Sequence, residues 1–178
     1  PNIQASLADG FYALAEQQAR GVLREGPGDA EEREALLLLA HALWGQKRYS
    51  EMIALLKGVD DDPGYAYWRA RAFFELNHYE QTLSVLDAGS ETLSGSHYEP
   101  VSLRLRGRAQ QLLGNFSKAE SAYEAFAKNY PDHSDTLDNQ FDLADVYLVQ
   151  KRIPEALAIY EALAEGDERN AAQRARLK

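Results

Sequence analysis

Five segments of this chain carry a small residue on one face of a predicted helix, four residues before an apolar residue. The anchors are Ala15, Met52, Thr82, Ala119 and Ala156, at successive spacings of 37, 30, 37 and 37 residues. This period constrains the fold more than any other feature. A unit of that length cannot bury its own apolar face and must stack on its neighbours. The expected fold is all-α, an α-solenoid of antiparallel helix pairs, and not a closed globule around one catalytic pocket. An aromatic ring or Ile stands three residues before each anchor (Tyr12, Tyr49, Tyr79, Phe116, Ile153), a regularity that a generic amphipathic bundle does not require.

The periodicity elsewhere is also helical. Leu36, Leu39, Ala40 and Leu43 follow i, i+3, i+4, i+7, and Leu143, Ala144 and Tyr147 continue a similar stripe after Gln140. No segment alternates with period two between turn pairs, so no strands are expected. Breakers fall at Gly26-Pro27-Gly28-Asp29, at Asp62-Pro63 (an N-cap followed by proline at the first helical position) and at Asn129-Tyr130-Pro131-Asp132. Tight turns near 45–48, 76–78, 113–115 and 150–152 force antiparallel pairs. These signals predict ten helices, over 2–9, 11–25, 30–45, 49–59, 64–76, 79–88, 98–113, 116–129, 134–150 and 153–165, with a tail from about 168 opening a further one. One repeat domain over 1–178 is expected, with units near 1–28, 29–62, 63–97, 98–132 and 133–168 and a partial unit at 169–178. The Gly- and Ser-rich segment Ala88–Pro100 makes the third unit the irregular one. Both ends interrupt a repeat, so the chain reads as a piece of a longer protein.

Composition narrows the function. A net charge of −9 argues against nucleic acid or an anionic membrane surface as the main partner. With no cysteine there is no disulfide scaffold, thiol nucleophile or Cys-ligated zinc. No apolar run approaches the ~18 residues of a membrane span. His41, His78, His97 and His133 are scattered, without the i, i+4 pairing of a metal motif, and no Gly-rich phosphate loop is present. Asp60-Asp61-Asp62 lacks the pattern of a calcium loop and reads as a solvated turn. Glu31, Glu32 and Glu34 suit a helix N-terminus. No catalytic residues, metal or cofactor are expected.

The units resemble the tetratricopeptide repeat, whose pattern runs W-x2-L-G-x2-Y, A-x3-F and a closing P. The fourth unit matches its second half with Gly114, Phe116, Ala119, Tyr123, Phe126 and Pro131, and the first with Gly10, Tyr12, Ala15, Ala19, Val22 and Pro27. The fifth supplies Leu143, Ala144 and Tyr147, then Ile153, Ala156, Tyr160 and Leu163. The second gives Leu36, Leu39, Ala40, Leu43, Tyr49, Met52 and Leu56. The third gives Ala70, Phe73, Tyr79, Thr82 and Leu86. Small residues let paired helices approach closely, and large ones fill the space between neighbours. The pattern's first tryptophan is absent from every unit. The spacing and the phrase Ala125–Pro131 resemble bacterial cell-envelope members of the family, which favours the periplasm or cell envelope over the cytoplasm.

The resemblance implies a curved array whose first helices line an inner groove. Those positions hold Leu37, His41 and Trp44; Tyr67, Arg71 and Phe74; Arg104, Arg108 and Gln111; and Phe141, Asp145 and Leu148. Aromatics and Arg anchor interfaces. Arg104 and Arg108, one turn apart, can face one carboxylate. The expectation is a non-catalytic scaffold that binds a partner segment with apolar and acidic side chains. Two bland readings stand beside it: the rings as inter-repeat core, a reading preferred for Trp68, and the arginines as ordinary ion-pair partners. The alternative function is the non-catalytic arm of a larger enzyme, or of a secretion or outer-membrane assembly machine. End-to-end self-association is a further expected contact.

Overall fold

The computed structural model describes residues 2–58 and 62–176, with side chains described as far as residue 165. It is helical throughout the described residues. The elements are α1 Ile3–Ala8, α2 Tyr12–Arg24, α3 Asp29–Gly45, α4 Tyr49–Leu55, α5 Pro63–Glu75, α6 Tyr79–Ala88, α7 Ser90–Leu93, α8 Glu99–Leu112, α9 Phe116–Asn129, α10 Thr136–Val149 and α11 Ile153–Arg176. Three differ from expectation. The Gly/Ser connection folds a short helix, α7, closed by Thr92 Oγ1 donating to the Gly89 carbonyl (3.0 Å) and by Ser96 Oγ donating to that of Leu93 (2.7 Å). Helix α4 stops at Leu55. Helix α11 continues through Gly166 to Arg176. One glycine costs a helix only about 1 kcal/mol relative to alanine, and the Ala-rich sequence around it offsets that cost. Asp60 and Asp61 lie outside the described residues. Asp62 caps α5, accepting from the Gly64 amide at 2.7 Å.

The turns inside the helix pairs are five copies of one structure. Gly10, Lys47, Asn77, Gly114 and Lys151 all have positive φ, between 59° and 77°. Each lies five residues before an anchor. The amide after it bonds back to the carbonyl five residues upstream: Phe11 to Ser6, Arg48 to Leu43, His78 to Phe73, Asn115 to Gln110 and Arg152 to Tyr147, at 2.8–2.9 Å. This left-handed closure satisfies carbonyls that a helix end leaves orphaned. Glycine adopts it without steric cost, whereas lysine does not.

The chain divides into two compact units, residues 1–99 and 100–178. In the first, Ala15, Ala19, Leu39, Ala40, Leu43, Met52 and Leu56 are fully buried in one core. Met52 therefore fills an anchor site as completely as Ala15. Thr82 is equally buried, because its hydroxyl donates to the His78 carbonyl one turn back (3.1 Å). In the second unit, Ala119, Tyr123, Ala144, Val146 and Ala156 are fully buried. A Cβ on Gly107 would collide with the Tyr123 ring, so that glycine sets how closely α8 and α9 approach.

Adjacent pairs are also clasped by polar side chains. Glu16 accepts from Gln46 Nε2 (2.8 Å), Arg20 Nε (2.9 Å) and Arg48. In the second unit Glu120 accepts from Gln150 Nε2 (3.2 Å) and Arg152 Nη1 (2.6 Å). Arg48 and Arg152 also hold Glu51 (2.6 Å) and Glu155 (2.9 Å) respectively. Burial works to raise the pKa of Glu16, but the hydrogen bonds and the two guanidinium charges outweigh it and hold the carboxyl below its ordinary value.

Candidate functional site

In the first unit, α3 and α5 bring their aromatic residues to one face. His41 stacks on Trp68 (centroids 5.0 Å apart, planes 28° apart) and lies 6.1 Å from Trp44 and 6.5 Å from Tyr12. Trp44 and Trp68 are 6.1 Å apart. Trp68 meets Tyr67 edge-on at 5.4 Å, and Tyr67 stacks on Tyr98 at 5.3 Å. The guanidinium of Arg71 sits 5.3 Å over the Trp44 ring while pairing with Glu75 (2.9 Å). All six rings are half-buried. Each ring contact of this kind adds about 0.5–1.5 kcal/mol beyond area burial, so the ladder is held stiffly while keeping exposed edges. The indole N–H of Trp44 is buried and has no hydrogen-bond partner among the described residues. Burial lowers the pKa of His41, so its ring stays neutral at pH 7. Burial raises that of the Tyr98 phenol, against a hydrogen bond from the Trp68 indole. Chemically this is an apolar, π-rich surface with one neutral imidazole and one bound cation.

The face includes most of the residues singled out in this unit. His41, Trp44, Tyr67 and Arg71 lie on it, and Leu37 packs half-buried beside it, near Gly64. Phe74 does not: it is only 7% exposed and packs against Tyr79 at 5.5 Å, so it belongs to the core. Trp68 packs on the core as expected, but it is also the hub of the ladder. The sequence reading missed Tyr12 and Tyr98. Tyr12 was legible only as a turn aromatic, and Tyr98 lay in the segment read as a loose connection.

The second unit is organised differently. Arg104 on α8 reaches three carboxylates of or beside α10, Asp142 (2.8 Å), Asp138 (3.1 Å) and Asp135 (3.5 Å). It is thus a strut between helices of its own chain, which fits the ion-pair reading. Burial works to lower its pKa, and the three carboxylates outweigh this and raise it. Gln111 accepts from the Tyr123 hydroxyl (2.9 Å), tying α8 to α9. Arg108 is half-buried near Tyr123. Phe141, 43% exposed, lies 6.2 Å from the Tyr160 ring, and Asp145 and Leu148 are exposed on the same helix.

Among the described residues no three His, Asp or Glu side chains are grouped to hold a metal, and no helix is long and apolar enough to cross a membrane. An open groove of about 420 Å³ between α1 and α3 is walled by Ile3, Val22 and Leu38 with Glu31 and Glu34 at its edge.

Residues 104–174 match the family model of the tetratricopeptide repeat. Comparison with curated proteins gives no match. Among solved structures, TTC0263, a thermophilic tetratricopeptide-repeat protein of Thermus thermophilus, is similar over 98% of this chain and 96% of its own, at 24% identity and a TM-score of 0.69. MamA (residue 41 to the end) from Desulfovibrio magneticus covers 93% of this chain and 91% of its own at 16% identity and a TM-score of 0.75. The tetratricopeptide-like repeats of a putative kinesin light chain of Podospora anserina cover 96% and 93% at 16% identity and the same score. The fold is that of tetratricopeptide-repeat proteins.

Proposed function

We propose that this chain is a non-catalytic protein-interaction scaffold that docks an apolar or aromatic peptide segment on the ring face of its first unit. The observation that carries the reading is the ladder Tyr12–His41–Trp44–Trp68–Tyr67–Tyr98, half-buried and continuous across three helix pairs. Stiff aromatic side chains with exposed edges lose little entropy when a partner packs on them and dominate interface energies. One other feature supports it: burial lowers the pKa of His41, so the ring face presents a neutral imidazole and not a cation. Arg104 is occupied by three carboxylates of its own chain, and on the ring face the guanidinium of Arg71, held over Trp44 beside Glu75, is the charged group a partner segment would meet.

Both tryptophans of the chain stand in this ladder, so intrinsic emission reports the site directly. Peptides selected from a random library against the protein are titrated while emission is followed. Binding is expected to shift the emission, and Tyr67→Ala or Trp44→Ala to weaken it at least tenfold, the equivalent of about 1.4 kcal/mol. Selected peptides that leave emission unchanged and bind both variants as tightly as the parent exclude this face.

A further inference from the structure

The ring face already carries one cation. The guanidinium of Arg71 lies 5.3 Å from the centre of the Trp44 ring, steadied by Glu75 at 2.9 Å. The faces of indole and phenol rings are electron-rich and attract cations, most strongly where water is excluded. His41 adds no opposing charge. Burial keeps its imidazole neutral, and the groups packed around it, Tyr12 on α2, Trp44 on α3 and Trp68 on α5, are uncharged rings. The edges of the ladder are acidic. Glu34 is exposed two turns before His41 on the same stripe of α3, and Glu75 stands two turns after Trp68 on α5. Asp62 and Tyr98 both border Gly64. The unit as a whole has the same sign. Its described residues hold fourteen Asp and Glu against eight Lys and Arg. Four of those cations, Arg20, Arg33, Arg48 and Arg71, are held by carboxylates of the chain.

We propose that the segment docked on the ring face is basic, and that its arginine side chains stack over the ladder as Arg71 stacks over Trp44. This rests on the docking reading above and names the chemistry of the partner. A basic segment is drawn by the ring faces and by the net field of the unit, which speeds encounter and fades with salt. An acidic segment, the expectation drawn from Arg104 and Arg108, would meet Glu34, Asp62 and Glu75 at the edges of the ladder, and Arg104 is already occupied. Arg71 is then a competitor for the Trp44 ring and not an anchor for a carboxylate.

Peptides selected from a random library against the protein, at neutral pH and low salt, are expected to carry arginine beside aromatic or apolar residues. The tightest is resynthesised with citrulline, which keeps the planar shape of arginine and drops its charge. Both forms are titrated while tryptophan emission is followed. Citrulline is expected to cost about tenfold in affinity. Tyr67→Leu should shrink that difference about threefold, because it removes a ring and no charge. Arg71→Gln should tighten the arginine form about threefold, since it uncovers Trp44 and leaves Glu75 for the partner. Far-UV circular dichroism checks that both variants fold. Selected peptides that shift emission but carry acidic or uncharged side chains overturn the basic partner and leave the docking face in place. A citrulline form that binds as tightly as the arginine form does the same, as does an Arg71→Gln protein that binds the arginine form less tightly. An arginine preference kept in full by Tyr67→Leu is attraction to the acidic surface at large and overturns the stacking. Selected peptides that leave emission unchanged remove the docking face itself, and the basic partner with it.

Discussion

At the scale of single residues, the five left-handed turn positions are the cleanest test of how sequence and backbone agree. Gly10 and Gly114 meet the requirement, while Lys47 and Lys151 adopt φ of 59° and 61° against their preference. A left-handed L-residue costs about 1–2 kcal/mol, part of which glycine returns through its looser unfolded chain. Lys47→Gly and Lys151→Gly are therefore expected to raise stability by about 0.5–1 kcal/mol each and to add when combined, since they lie in different units. Gly114→Ala should lower it by about 1 kcal/mol. Urea denaturation with an unchanged m-value measures all three. His41 gives a pH effect. Its folded pKa lies below the unfolded one, near 6.5, so the unfolded state binds more protons there and stability falls as pH drops below about 6.5. Replacing it by Phe should flatten that part of the stability curve. These anchors and turns were legible because they recur; the ring ladder was legible only in part. Trp68 reads as core from its helix stripe, and Tyr98 reads as loop. What joins them to His41 is the packing of separate helices, which no local pattern encodes.

At the scale of helices, close approach and polar clasps set the joints. Gly107→Ala drives a methyl into the Tyr123 ring, and overpacking of that kind costs about 1–3 kcal/mol, readable as a lower unfolding midpoint. The clasp at Glu16 should be visible in acid. Its carboxyl is held below the ordinary value in the fold, so the stabilisation is complete above the unfolded pKa of about 4.3 and vanishes as pH falls through the folded one. Glu16→Gln should start less stable at pH 7 and lose less between pH 5 and 3, as stability curves at several pH values would reveal. If the variant declines as steeply as the parent, Glu16 is not the group responsible. Helix existence was read correctly from the apolar period, while two ends and one element were not. Ser90–Leu93 is too short to carry a period, and Gly166 looked like a stop although its Ala-rich neighbours sustain the helix. The pairing of Arg104 with Asp142, thirty-eight residues away, has no sequence signal beyond the charges themselves.

At the scale of the whole chain, the two compact units carry different probes. Trp44 and Trp68 both belong to residues 1–99, whereas helicity is spread over both units. Repeat proteins lose cooperativity when coupling between units is weaker than the units themselves. Tryptophan emission and circular dichroism at 222 nm are expected to give different midpoints in guanidinium, and Gly107→Ala should move the dichroism more than the emission. Coincident curves that shift together would mean one cooperative block. The clasps at Glu16 and Glu120 carry a further consequence, for how such a chain can change length. Excising the second pair would bring Glu16 against Leu76 and His78 in place of Gln46 and Arg48, stranding a carboxylate where its partners stood. Copying the fifth pair after itself would press Leu157, which follows Ala156 as Glu16 follows Ala15, onto a Gln-Lys-Arg turn. The pairs therefore are not interchangeable beads: insertions and losses are tolerated only where the two new edges agree in polarity, which fixes their order along the chain.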